Sequence, residues 1–166
     1  MTIRWQTLGI GREYRLFREK QIVGILKNNF WNRKGYGELH GFLMRFEKEK
    51  TGKGPTQILD IEGEKVLGTI DFGFFPSSAV IHHEGQRYQW KYPSKRYRGS
   101  WLVSGQEEEA NYEATGFISS AGTITDTYLH PVVIMAGLYV QGYFIKRSFL
   151  VVMAVFLVGL LTLFFS

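Results

Sequence analysis

Few residues in this chain are grouped as chemistry would require. His82-His83-Glu84 sets metal-ligating residue types side by side. Adjacent residues on a strand project to opposite faces, so the two imidazoles diverge, and no further ligand stands near them in sequence. No functional metal site is expected there. His40 and His130 are isolated and read as surface or packing residues. Gly52-Lys53-Gly54-Pro55-Thr56 faintly resembles a phosphate loop, but the leading glycine is missing and Pro55 has no N–H for a phosphate. Gly9-Ile10-Gly11 is too short for a dinucleotide fingerprint and has no βαβ unit around it. Glu107-Glu108-Glu109 reads as a solvated tip, with a cation or basic partner as the alternative. The chain has no cysteine, which removes thiolate catalysis, zinc–thiolate sites and disulfides together. No Ser, His and acid set stands in a nucleophile context. The expectation is a protein that is not an enzyme and binds no cofactor. Residues distant in sequence that meet in space are the route by which it would fail.

Charge is distributed more tellingly than its sum of +5. Up to Lys53 there are twelve Lys and Arg against five Asp and Glu. A second acid-free stretch carries Arg87, Lys91, Lys95, Arg96 and Arg98. Basic patches of this kind attract polyanions such as nucleic acid or anionic headgroups. The plainer reading is a set of solvated strand faces. Thirteen Phe, nine Tyr and four Trp supply stacking surfaces, but most alternate with polar residues as core positions do, and no RNA-binding signature accompanies them. Nucleic acid is therefore disfavoured as a partner. Trp90, Tyr92, Tyr97 and Trp101, around the basic run, are candidates for a headgroup interface.

The elements that would carry these residues are mostly strands. Tyr14, Leu16 and Phe17 open one, and Ile22, Val23, Ile25 and Leu26 the next, with Asn28-Asn29 as a turn. One longer strand is predicted through Tyr36, Leu39, Phe42, Met44 and Phe46, then a charged loop from Glu47 to Pro55. Ile61-Glu62-Gly63-Glu64 and Glu84-Gly85 are hairpin signals between β-prone runs. Trp101 to Val103, Tyr112 to Ile118 and Thr123 to Leu129 complete the set, the last two flanking a Ser119 to Gly122 turn. Short strands at this spacing predict an antiparallel barrel or sandwich, with no amphipathic helix before residue 129. Residues 1–130 form the β-rich domain in this reading. The N-terminal stretch lacks an apolar run long enough for a secretory signal, so the domain is expected to stay in the cytoplasm.

Beyond Asp126 the composition changes: no acid follows, and Lys146 and Arg147 are the remaining bases. Residues 131–147 read as an apolar helix opened by Pro131, either buried in the β domain or a first membrane helix. Burial is favoured, because its apolar part, the fifteen residues from Pro131 to Ile145, reaches only about 22 Å. Residues 148–166 read as a transmembrane helix. Its uncharged stretch from Ser148 to Phe165 spans roughly 27 Å as a helix, against a hydrocarbon core of roughly 30 Å. The span is assigned to Phe149, Leu150, Val151, Val152, Phe156, Leu157, Leu160, Leu161, Phe164 and Phe165. Lys146 and Arg147 stand where long cationic side chains reach headgroups, and the positive-inside tendency sets the N-terminal domain on the cytoplasmic side. The layout is that of a tail-anchored, single-pass membrane protein. The competing readings are a core helix of a soluble fold and a helical hairpin.

Tyr14-Arg15-Leu16-Phe17 leading into Ile22-Val23-Gly24-Ile25-Leu26, then Ile58-Leu59-Asp60 with Gly68-Thr69-Ile70, and finally His130 to Phe144, follow an order that resembles the tubby-like barrel group. That group includes the LURP-one-related and phospholipid-scramblase-like proteins. The resemblance covers about residues 12–146 and rests on order and spacing. It implies a closed barrel threaded by an apolar helix, and lipid or membrane association without chemistry. The apolar segment after Arg147 departs from the soluble members.

Two functional expectations follow. One is a non-enzymatic, membrane-anchored accessory or interaction subunit of a larger membrane complex, with other membrane subunits as partners. The other is a lipid-binding or scramblase-like module at anionic membranes, with Arg87, Lys91, Lys95, Arg96, Arg98, Lys146 and Arg147 as headgroup contacts.

Overall fold

A computed structural model describes residues 2–9, 12–29, 34–48, 54–73, 77–93, 99–115, 120–126 and 128–164, with the side chains of Leu163 and Phe164 left out. Twelve strands run β1 Thr2–Leu8, β2 Glu13–Arg18, β3 Gln21–Asn29, β4 Lys34–Leu39, β5 Phe42–Lys48, β6 Thr56–Leu59, β7 Val66–Gly73, β8 Ser78–His83, β9 Gln86–Lys91, β10 Ser100–Ser104, β11 Glu109–Thr115 and β12 Ala121–Asp126. One helix, α1 Pro131–Phe164, follows. Every strand pairs antiparallel with its sequence neighbours, and β1 pairs with β12, closing the sheet into a barrel.

Alternation fixes which side chains face inward. On β1 Ile3 and Trp5 are buried while Arg4 and Gln6 are exposed, and on β8 His83 is buried and His82 exposed. The two imidazoles therefore diverge. Tight turns are made by residues in left-handed conformation: Glu84 and Gly85 join β8 to β9, and His40 and Gly41 join β4 to β5. Between β6 and β7 the Asp60 carboxylate accepts the N–H groups of Gly63, Glu64 and Lys65 at 2.8, 2.8 and 3.1 Å. These bonds to the charged form, led by that of Lys65, hold the Asp60 carboxyl below its usual range.

Several elements differ from the sequence expectation: Ala121 and Gly122, expected in a turn, open β12 and pair with Gln6 and Trp5. Thr2–Leu8, to which the sequence reading assigned no strand, closes the barrel. Asn28 and Asn29 do not turn: they continue β3 and pair with Gly35 and Lys34. The single strand from Tyr36 to Phe46 is two strands, because His40 adopts positive φ without being Gly or Asn.

A barrel of twelve strands is too wide for its own side chains to fill, since diameter grows with strand number. α1 supplies what is missing. Val132, Val133, Met135, Ala136, Leu138, Val140 and Phe144 are all buried. Thirteen helical residues, 132–144, rise about 20 Å, which is the length of a six-residue strand. Inward rings meet the helix along that length. Phe46 stacks on Tyr139 at 4.4 Å, Phe72 meets Tyr143 at 4.1 Å and Trp90 meets Phe144 at 5.2 Å.

Candidate functional site at the helix-exit mouth

The alternating strand directions sort the turns between two mouths. β12 delivers the chain to the mouth where α1 starts, beside the turns after β2, β4, β6, β8 and β10. α1 leaves through the other mouth, where β1, β3, β5, β7, β9 and β11 end.

Charge divides the same way. At the start mouth the turns and adjoining strand ends carry Glu19; Asp60, Glu62 and Glu64; Glu84; Glu107, Glu108 and Glu109; and Asp126, against Arg18, Lys20, Lys65 and Arg87. At the exit mouth stand Arg12, Lys27, Lys34, Lys48 and Lys91, with Lys146 and Arg147 where α1 emerges. Glu13 and Glu47 also lie on strand ends there, Glu13 at 2.8 Å from Arg15 and Glu47 at 3.3 Å from Lys34, and Asp71 and Glu113 stand as far from the rim as Lys27 does, so the described bases outnumber the acids. The barrel is thus polar along its axis, acidic where the helix begins and basic where it leaves.

α1 continues past that mouth without a break. Beyond Arg147 every residue described through Thr162 is exposed, and none is charged. Phe149, Leu150, Val151, Val152, Phe156, Leu157, Leu160 and Leu161 present bare apolar surface, Val152 at 65% exposure. Phe164 ends the helix, its side chain lies outside the described residues, and Phe165 lies outside them altogether. α1 is long and apolar enough to cross a membrane. The helix is one object with two environments, buried in protein up to Phe144 and bare from Ser148 onward.

Between the emerging helix and the rim of β3, β4, β5 and β6 lies a cleft of about 450 Å³. Lys34, Lys48, Lys146 and Arg147 line it together with the amides of Asn28 and Asn29. Leu150, Val151 and Ala154 form its outer flank. Among the described residues no Asp or Glu lines it. A second hollow of about 360 Å³ adjoins it through Asn28, Asn29 and Lys34, and adds Arg12, Lys27 and Tyr36.

The sequence-assigned headgroup contacts divide between positions. Lys146 and Arg147 line the cleft. Lys91 is exposed at the exit end of β9, and Arg87 is exposed at the opposite end of the same strand, about 13 Å away at the rise of a strand. Lys95, Arg96 and Arg98, like Tyr97, lie outside the described residues. Trp90 and Trp101, considered for a headgroup interface, instead face inward and are buried, because alternation on β9 and β10 aims them at α1 and the barrel core. Tyr92 is half-buried, and its hydroxyl donates to Gln141 Oε1 at 3.1 Å. Sequence reading missed Lys34 and Lys48 as partners of Lys146 and Arg147. The basic surplus before Lys53 was the available signal, but only the strand directions bring those lysines to the helix.

At the other mouth His130 caps α1. Its backbone carbonyl accepts from Val133 and Ile134, and its Nδ1 accepts from the Val132 N–H at 3.3 Å. Its ring packs on Phe42 at 4.9 Å and on His83 at 4.5 Å, while His83 Nδ1 donates to the Leu67 carbonyl. Burial, and then the neighbouring His83, lower the His130 pKa, with Glu84 and Glu108 opposing. Among the described residues no group of three or more metal-ligating side chains converges.

Compared with known proteins, the chain matches no family model, no curated protein and no solved structure. The closed antiparallel barrel around an apolar helix is what the structure shows, and no match assigns it to a family.

Proposed function

We propose that this chain is a non-enzymatic, membrane-anchored interaction subunit, a barrel seated on the bilayer by its basic mouth and held there by the outer half of α1. The carrying observation is the continuity of α1 from fully buried core to bare apolar surface. A span joined to the barrel through its core leaves no flexible linker, so the barrel keeps a fixed face toward the lipid.

The charge polarity supports the same orientation. An anionic leaflet attracts each Lys or Arg near its surface with about 1 kcal/mol. Seating the exit mouth on headgroups brings Lys34, Lys48, Lys146 and Arg147 there, and keeps the acidic mouth away. By the positive-inside tendency this is the cytoplasmic leaflet, with the barrel in the cytoplasm. The acidic mouth and the barrel wall then face protein partners.

Carbonate extraction followed by native electrophoresis in mild detergent tests both parts. The protein is expected to stay with the membrane pellet and to migrate in an assembly larger than one chain. Release by carbonate would refute the anchor, and migration as a lone monomer would refute the subunit role.

A further inference from the structure

We propose that the cleft between emerging α1 and the barrel rim is a binding site for one anionic glycerophospholipid. The inference rests on the reading of outer α1 as a membrane span and goes beyond it, from adhesion to a defined lipid site.

One stripe of the helix builds the cleft. Tyr139 and Tyr143 lie at its inner end, Lys146 and Arg147 at the collar, and Leu150 and Ala154 beyond. These positions recur at the three- and four-residue spacing that keeps side chains on one face. The stripe therefore passes from protein core, through cations, to bare apolar surface within about four turns.

The opposing wall is basic. Lys34, at the start of β4, and Lys48, at the end of β5, face the collar. Lys34 also touches Glu47 at 3.3 Å, but an ammonium has three donors and this contact engages one. Asn28 and Asn29 add amide groups suited to phosphate and glycerol oxygens. A phosphate diester in this ring meets cations from two sides, and among the described residues no carboxylate lines the cleft.

The apolar flank decides between a lipid and a soluble anion. A free phosphate would satisfy the lysines and leave Leu150, Val151 and Ala154 against water. A phospholipid satisfies both, its headgroup in the basic ring and an acyl chain along the helix. Ala154 is the small residue that leaves room beside the helix for that chain. The cleft volume of about 450 Å³ lies within the roughly 300–1,000 Å³ range of small-molecule sites.

The test uses the full chain in nanodiscs of phosphatidylcholine with or without one-fifth phosphatidylglycerol, followed by transfer to mild detergent and native mass spectrometry. One phosphatidylglycerol is expected to remain per chain, with phosphatidylcholine lost. The double variant K34Q/K48Q is expected to lower retention roughly tenfold or more. A154F, which fills the apolar flank and leaves every charge in place, is expected to lower it as well. Equal retention of the two lipids, or unchanged retention in both variants, would overturn the site. If K34Q/K48Q lost retention but A154F did not, the cleft would be an anion site and not a lipid site. Flotation of wild type and variants with phosphatidylcholine vesicles reports the anchor separately. Failure of all of them to float would overturn the membrane reading, and the lipid site with it.

Discussion

Trp90 Nε1 donates a hydrogen bond of 3.1 Å to the carbonyl oxygen of Gly137, tying the barrel wall to the backbone of the helix that it surrounds. One turn earlier the Tyr112 hydroxyl donates to the Ile134 carbonyl at 2.9 Å. Both bonds are buried, and they fix the height of α1 in the barrel. The height of the helix in turn sets where Lys146 and Arg147 emerge.

Gly137 is glycine because Tyr112 needs the space. A Cβ there would stand 2.5 Å from the Tyr112 hydroxyl and 3.0 Å from Val103 Cγ2. Alanine favours an isolated helix, yet Gly137→Ala is expected to destabilise this one by roughly 1–3 kcal/mol through overpacking. Thermal unfolding measures it. An unchanged or higher melting temperature would mean that Tyr112 can move aside.

Trp90 and Trp101 offer an internal comparison. Both are fully buried, but Trp101 Nε1 has no hydrogen-bond partner among the described residues. Trp→Phe removes similar volume at each position, so Trp90→Phe is expected to cost about 1 kcal/mol more, the worth of one net hydrogen bond. Equal losses in denaturant titrations would deny the Trp90–Gly137 bond any net role.

His130 should make the start mouth sensitive to acid. Its folded pKa lies below the usual 6.5, so between those values the unfolded chain binds more protons. Stability is therefore intact above 6.5 and falls as pH drops from there through the folded pKa. Protonation at Nδ1 also removes the acceptor for the Val132 N–H. His130→Asn keeps a capping side chain without the titration, and it is expected to flatten this pH dependence. His40, whose pKa is lowered first by burial and then by Arg18, remains as a contributor of the same sign. An unaltered slope in the variant would assign the effect elsewhere.

Among the described residues the buried core ends at Phe144, so a chain stopped at Ser148 is expected to fold as a water-soluble barrel with a cooperative melt. A chain stopped at His130 lacks the filling that Val132 to Phe144 provide and is expected not to fold. Circular dichroism melts of the two check this. A folded barrel without α1 would contradict the role of the helix as core.

Local rules made some of this legible in the sequence. Glu84-Gly85 announced its hairpin because a glycine with positive φ is what a two-residue turn requires. The uncharged run after Arg147 announced itself by composition. His40-Gly41 escaped because histidine seldom takes that conformation, and Asn28-Asn29 misled because turn-prone residues here continue a strand. β1 was hidden by distance: it closes the barrel against Ala121 to Thr125, more than a hundred residues away. The basic collar was hidden for the same reason. Lys34, Lys48 and Lys146 share one mouth only because strand direction alternates and the helix runs the full length of the barrel.

The most direct test of the outer half of α1 exploits the lack of cysteine in the natural chain. A single spin label introduced at Val155, which is 68% exposed, reports its surroundings once the protein is reconstituted in vesicles. High accessibility to oxygen with exclusion of a water-soluble nickel chelate is expected there, and the reverse at Glu107 on the acidic mouth. Free access of the chelate to position 155, or shielding from both reagents, would contradict a helix that leaves the barrel for lipid.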